Sequence, residues 1–204
     1  MSEQQIINIE RAAKIAGFMS NAELAWLASQ ALTHNRIVEV GSLIGRSTRA
    51  LADHTEGFVL AVDDFKGPRD TTMSWKERQS IPGRFEGHLR DHLDSGKVIV
   101  WKQDYGKLDI GECPAPSRTF DMCFIDGCHK FSSVTRDIAF WRPLLEEGAL
   151  ICGHDFSLEY PQVIEAVTNA FGNGVTPIPN TTIWWHVVPV TVKPVAQPEE
   201  MAVV

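Results

Sequence analysis

The fold is decided by Arg36-Ile37-Val38-Glu39-Val40-Gly41-Ser42-Leu43-Ile44-Gly45-Arg46-Ser47-Thr48, followed by Val59-Leu60-Ala61-Val62-Asp63-Asp64. The pieces are an apolar β-rich run, a turn with two glycines, a helix from about Ser47 to His54, and a second apolar run ending in a carboxylate. Together they predict a strand–turn–helix–strand unit. Such a unit leaves a ligand pocket beyond the carboxyl ends of its parallel strands.

The turn also indicates what it holds. A dinucleotide-binding turn needs G-x-G-x-x-G, because the middle glycine lets the backbone approach a pyrophosphate seated on the helix N-terminus. Here Ser42 and Leu43 follow Gly41, so that glycine is missing. Glu39 sets a negative charge at the pocket mouth, which repels a pyrophosphate. The same carboxylate attracts a ligand with a cationic amino-acid end and no phosphate, and S-adenosylmethionine carries both an ammonium and a sulfonium. Glu39 and Gly41 are expected to hold its amino-acid end, with Ser42, Gly45 and Ser47 completing the turn. Asp63, about 20 residues after the turn, is placed to accept the ribose hydroxyls. Asp64 stands beside it as a second acid.

At 204 residues the chain fits one domain over 1–192, with a helical cap over about 1–34. A frayed tail is expected over 193–204, where Pro, Gln and Glu are frequent. A net charge of −7 and a pI near 5.5 argue against non-specific binding along nucleic acid, which relies on clustered Lys and Arg. Cys113, Cys123, Cys128 and Cys152 form no C-x-x-C pair, and Cys123 and Cys152 sit in apolar strand-like runs. They read as reduced core thiols, which points to the cytoplasm. The polar, acidic start is unlike a secretion signal, and no window approaches the roughly eighteen apolar residues of a membrane span.

Helical spacing runs from about Ser2 to Ala16 and from Asn21 to Leu32, with Ser20 or Asn21 as N-cap. The polar stretch Phe65 to Pro82 reads as a long loop, either a lid or binding segment or a variable surface insertion. A helix over Arg84–Leu93 precedes a strand at Val98–Trp101 that ends near Gln103-Asp104. Phe120–Ile125 is a fourth strand, followed by a helix over Val134–Leu145, a strand at Ala149–Cys152 and a helix over Gln162–Phe171. Two closing strands, Val175–Ile178 and Thr182–Val188, form a hairpin-like pair that predicts one antiparallel member near the sheet edge. Strands alternating with helices predict an α/β, doubly wound, Rossmann-like sheet.

A second group of ionisable residues gathers at strand ends. The fourth strand runs into Asp126-Gly127-Cys128-His129, and the fifth into Gly153-His154-Asp155-Phe156. Asp126, His154 and Asp155 offer two carboxylates and an imidazole, a set suited to Mg, Mn, Fe or Zn rather than to a soft thiolate metal. His129 lies where it can reach a hydroxyl held against such a metal. An Asp-Gly is also an ordinary turn and a His-Asp pair an ordinary cap. Their convergence at adjacent strand ends favours catalysis.

The set Glu39-x-Gly41-x-x-x-Gly45-Arg46-Ser47-Thr48, Val62-Asp63, Phe124-Ile125-Asp126-Gly127-x-His129 and Leu145-x-x-Gly148-x-x-x-x-Gly153-His154-Asp155-Phe156 resembles the class I S-adenosylmethionine-dependent methyltransferases. More narrowly it resembles methyltransferase family 24, related to the macrocin and mycinamicin sugar O-methyltransferases. The likeness covers roughly Ala16 to Val188. It implies a seven-stranded sheet of order 3-2-1-4-5-7-6 with helices on both faces, and methyl transfer. In the metal-dependent sugar enzymes the Asp of D-G-x-H and an acidic pair after the fifth strand bind Mg, and the His is the base. Carried over, these are Asp126, Asp155 and His129, with Gln103-Asp104 at the adenine edge. One departure stands out: His154 occupies the first acidic position, and an imidazole points to a softer ion such as Mn or Zn, or to none.

The expected reaction is in-line transfer of the sulfonium methyl to a small-molecule hydroxyl, with His129 as base and a divalent metal assisting. Two other readings compete. His129, His154 and Asp155 have the composition of a two-His, one-carboxylate iron site, as in a non-heme hydroxylase, which would leave the glycine turn without a role. A non-catalytic S-adenosylmethionine-binding module is the other, and the ionisable Glu39, Asp63, Asp126 and His129 count against it. Trp75, Phe85, Trp184 and Trp185 are candidates for an acceptor pocket or for packing. The N-terminal helices are candidates for a homo-oligomer contact.

Overall fold

The strand that opens the quoted motif, β1 (Arg36–Val40), is buried on both faces, and its side chains alternate between two apolar cores. Ile37 packs with α1 (Glu10–Ala13), α2 (Asn21–Ala31), α3 (Arg46–His54) and α4 (Trp75–Asp94). Val38 and Val40 pack with α5 (Phe131–Trp141) and α6 (Pro161–Phe171) on the opposite side. The same alternation recurs in β2 (Phe58–Asp63), β4 (Phe120–Ile125) and β5 (Leu145–Gly153). With β3 (Val98–Lys102), β6 (Thr176–Pro177) and β7 (Trp184–Val187), they make one seven-stranded sheet of order β3-β2-β1-β4-β5-β7-β6. This is the doubly wound, Rossmann-like order that the family resemblance implies. The computed structural model describes residues 6–68, 72–104 and 107–190; the expected tail over 193–204 lies outside them.

The first five strands pair in parallel, whereas β7 runs antiparallel to both β5 and β6. β1 and β4 are therefore neighbours although their order along the chain is not consecutive. The sheet switches direction between them, and their carboxyl ends open a crevice. No helix among the described residues is long and apolar enough to cross a membrane.

Three boundaries differ from expectation. The stretch Phe65–Pro82 is not all loop, because α4 begins at Trp75. Ser74 Oγ accepts the Glu77 N–H at 3.3 Å and Glu77 Oε2 accepts the Ser74 N–H at 2.8 Å, a capping box that starts the helix ahead of Pro82. Pro82 removes one backbone donor, but the buried Ile81, Phe85 and Leu89 carry the helix through it. The first helix spans only Glu10–Ala13. Pro143 sits inside a 3-10 turn, Arg142–Leu144, that follows α5, and β5 starts directly after it at Leu145 rather than Ala149.

Candidate active site

The glycine turn rests on two strands at once. Gly41 N–H donates to Val62 O at 2.9 Å, and Asp126 N–H donates to Val40 O at 2.8 Å. Gly41 has φ +97°, and a Cβ there would lie 2.1 Å from the Asp126 carbonyl oxygen. Only glycine lets the turn press so closely on the end of β4. Leu43 is held in the left-handed region at φ +48°, with its N–H donating to Asp63 Oδ2 at 2.8 Å. Asp63 Oδ1 accepts the Phe65 N–H at 2.6 Å. The carboxylate thus shapes the turn and keeps lone pairs for a ligand. Burial pushes its carboxyl up, against these N–H donors.

Glu39 lies fully buried under the turn. Its Oε2 accepts the Thr48 hydroxyl, while Oε1 and the neighbouring Ser42 Oγ have no hydrogen-bond partner among the described residues. Burial pushes the carboxyl up to about 7, against the Thr48 hydroxyl, and the Asp126 charge adds to the rise. An orphaned carboxylate oxygen beside an orphaned hydroxyl is a polar seat that suits an ammonium.

Above the turn is a cavity of about 220 Å³. Gly41, Ser42 and Ser47 form its floor; Asp63, Asp64 and Asp104 line one side, and Asp126, His129, His154 and Asp155 the other. Three expected cofactor residues are not in the wall. Glu39 lies below it, and Gly45 caps α3 against Leu89. The Gln103 backbone N–H donates to Asp63 O at 3.2 Å. Phe85 and Trp184 are core residues, Trp185 packs against the core, and Trp75 is exposed, so none of these four aromatics lines the cavity. Among the described residues, the Phe and Tyr side chains in the wall are Phe18 and Tyr160.

The carboxyl ends of β4 and β5 carry the charged side. His129 Nε2 lies 2.8 Å from Asp155 Oδ2, and Tyr160 packs its ring 4.2 Å from the imidazole centroid. His154 Nδ1 lies 3.2 Å from Asp155 Oδ1 and 3.5 Å from Asp126 Oδ1. Its Nε2 lies 3.3 Å from Oε1 of the buried Glu23, close but not aligned as a hydrogen bond. Burial works against the His154 cation, yet Asp126, Asp155 and Glu23 outweigh it and push the imidazole up to about 12. Burial raises the Asp126 carboxyl, only partly offset by His154. Burial also opposes ionisation of Asp155, but its contacts with His129 and His154 win and hold it well below the usual range.

Asp126, His154 and Asp155 each offer one donor atom, all within 4.8 Å of one another. Two oxygens and an imidazole nitrogen that close fit a divalent ion of intermediate softness, provided the ring gives up its Nδ1 proton. His129 is not part of this group, so the competing two-His, one-carboxylate reading finds no such triad among the described residues.

Sequence reasoning missed the N-terminal contribution. Arg46 donates from Nε to Met19 O at 3.1 Å and from Nη1 to Ala13 O at 3.0 Å and to Ile15 O, holding Ala16–Met19 against the cavity. Glu23 was also missed. Ser20-x-x-Glu23 is legible as a capping box, and the Ser20 N–H donates to Glu23 Oε2 at 2.7 Å, but nothing local shows that its other oxygen faces His154.

The arrangement matches known proteins. A family model described as a methyltransferase domain matches residues 38–156, more than half of the chain. Comparison with curated proteins gives no match. Among solved structures, a putative O-methyltransferase from Klebsiella pneumoniae superposes with a TM-score of 0.62 at 15% identity, over 89% of this chain and 86% of that one. TomG, the O-methyltransferase of tomaymycin synthesis from Streptomyces achromogenes, was solved with S-adenosylmethionine. It gives 0.62 at 14% identity over 84% and 82%. The calicheamicin methyltransferase CalS11 gives 0.63 at 15% over 81% and 77%. At such identities the structures attest the fold, while the family model covers both halves of the cavity. The chain belongs to this methyltransferase family and is a class I S-adenosylmethionine-dependent methyltransferase.

Proposed function

We propose that the enzyme transfers the methyl group to a hydroxyl of a small molecule of the sugar or natural-product kind, in the cytoplasm. The observation that carries this reading is the His129–Asp155 pair in the cavity wall beside Asp126. With Nε2–H donating to Asp155, the neutral ring is oriented by a carboxylate, as a general base is. The C–O bond forms as the C–S bond breaks, leaving a thioether, and the hydroxyl proton passes to His129. Glu39 and Ser42 would hold the donor's ammonium, Asp63 and Asp64 its ribose, and Asp104 its adenine edge. Asp126, His154 and Asp155 would hold a divalent metal such as Mn, Zn or Mg, which when bound lowers the pKa of a coordinated hydroxyl. The sugar assignment draws on the family resemblance and on CalS11, described as a TDP-rhamnose 3′-O-methyltransferase. The four free cysteines accord with a reducing compartment.

The test is transfer from methyl-labelled S-adenosylmethionine to a panel of hydroxyl and amine acceptors, before and after EDTA and re-addition of Mn²⁺, Zn²⁺ or Mg²⁺. Label should reach hydroxyl acceptors, and EDTA should slow the transfer. Methylation of amines alone would overturn the oxygen assignment, and rates indifferent to EDTA and metals would remove the ion from the reading.

A further inference from the structure

Glu23 sits on α2, more than a hundred residues before the strand whose end it touches. Its two oxygens do different things. Oε2 accepts from the Ser20 N–H at 2.7 Å and the Ser20 hydroxyl at 2.9 Å, which completes the cap of α2. Oε1 faces inward and meets three groups: the Thr182 N–H at 2.9 Å, the Thr182 hydroxyl at 3.1 Å and His154 Nε2 at 3.3 Å. Thr182 in turn holds the next residue of the donor set. Its Oγ1 accepts the Asp155 N–H at 3.3 Å, and its carbonyl accepts the Phe156 N–H at 2.9 Å. Asp155 needs such anchoring, because its backbone stands in the left-handed region at φ +61°.

A helix cap does not require a carboxylate that is 5% exposed and aimed at an imidazole. We propose that Glu23 is a positioning residue of the active site: it sets the imidazole of His154 with Nδ1 toward Asp126 and Asp155, and fixes Asp155 through Thr182. A histidine that ligates through one nitrogen is oriented by what its other nitrogen faces, and loss of that partner typically costs 10–100-fold in metal affinity or activity. Glu23 thereby ties the N-terminal helix and the turn before β7 to two of the three donors. It deepens the metal-assisted reading above and rests on it.

The experiment is calorimetric titration of the EDTA-stripped full chain with Mn²⁺ and with Zn²⁺, alongside titration with S-adenosylhomocysteine. Glu23→Gln keeps an oxygen for Thr182 and removes the charge facing His154. It should weaken metal binding by about 10–100-fold while S-adenosylhomocysteine affinity stays within about twofold. Ser20→Ala breaks the cap without touching His154, so it should lower thermal stability and leave metal affinity alone. Equal metal affinity in Glu23→Gln and the parent would overturn the proposal and leave the metal reading standing, as would an equal loss in Ser20→Ala and Glu23→Gln. A parent that binds neither ion overturns both together, and the S-adenosylhomocysteine arm then shows whether the methyl-donor half survives.

Discussion

Around the glycine turn the cavity wall comes from one short stretch of chain, whereas at the ends of β4 and β5 it is gathered from separate strand ends. The turn owes its shape to left-handed residues and to a carboxylate that accepts two N–H groups, all between Glu39 and Phe65. The opposite wall draws Asp126, His129, His154 and Asp155 from two strand ends and relies on Glu23 and Thr182, which are 159 residues apart. One half is local and rigid. The other is assembled from distant parts and held by ion pairs. A substitution in the first should therefore disturb shape and binding together, and one in the second should disturb chemistry with the shape intact.

The largest expected effect lies in the second half. His129→Ala removes the proposed base and should lower kcat by about 10²–10⁴-fold, the usual worth of a positioned general base. S-adenosylhomocysteine affinity should stay within about twofold. Single-turnover rates and calorimetry on the same preparation separate the two quantities. A variant that loses donor binding in proportion to rate would erase the contrast between the walls.

The next effect belongs to the first half. Gly41→Ala would put a Cβ 2.1 Å from the Asp126 backbone at a φ of +97°. It should cost about 3 kcal/mol or more of stability, with a large loss of donor affinity. Gly45→Ala shares the left-handed strain at φ +89° but meets the tip of the Leu89 side chain at 2.4 Å, which can move, and should cost about 1–2 kcal/mol, less than Gly41→Ala. Urea unfolding measures both. Equal costs would mean that the turn does not rest on β4 as tightly as its geometry requires.

The same contrast explains what could be read from the chain alone. The β1–turn–α3–β2 unit was legible because strand pattern, glycine spacing and terminal acid lie within thirty residues, and the forces that shape it act at short range. Asp126, His129, His154 and Asp155 were legible as residues because each follows a strand. Their connections were not: which His154 nitrogen meets which carboxylate depends on α2 and on the turn before β7. The start of α4 was misread for another reason. Pro82 and the preceding polar stretch resemble a loop, but the Ser74-x-x-Glu77 box overrides them. Of the two readings of the aromatics, packing holds at Phe85 and Trp184, because burial of an indole or phenyl ring is favourable wherever a core is available.

The smallest expected effect tests how the rigid half is charged. The Glu39 carboxyl is pushed from near 4.5 up to about 7, so the folded apo chain holds a proton there that the unfolded chain has released. Its contribution to apo stability therefore falls as pH rises from about 4.5 through about 7. Donor binding should run the other way, because an ammonium favours the ionised form and must expel that proton at lower pH. S-adenosylhomocysteine, which keeps the ammonium, should bind about tenfold more weakly near pH 6 than near pH 8, and Glu39→Gln should flatten the profile. A flat profile in the parent chain would mean that Glu39 does not sense the ligand. The orphaned Oε1 would then be a packing defect under the turn, and the rigid wall would recognise its ligand through Asp63 and backbone alone.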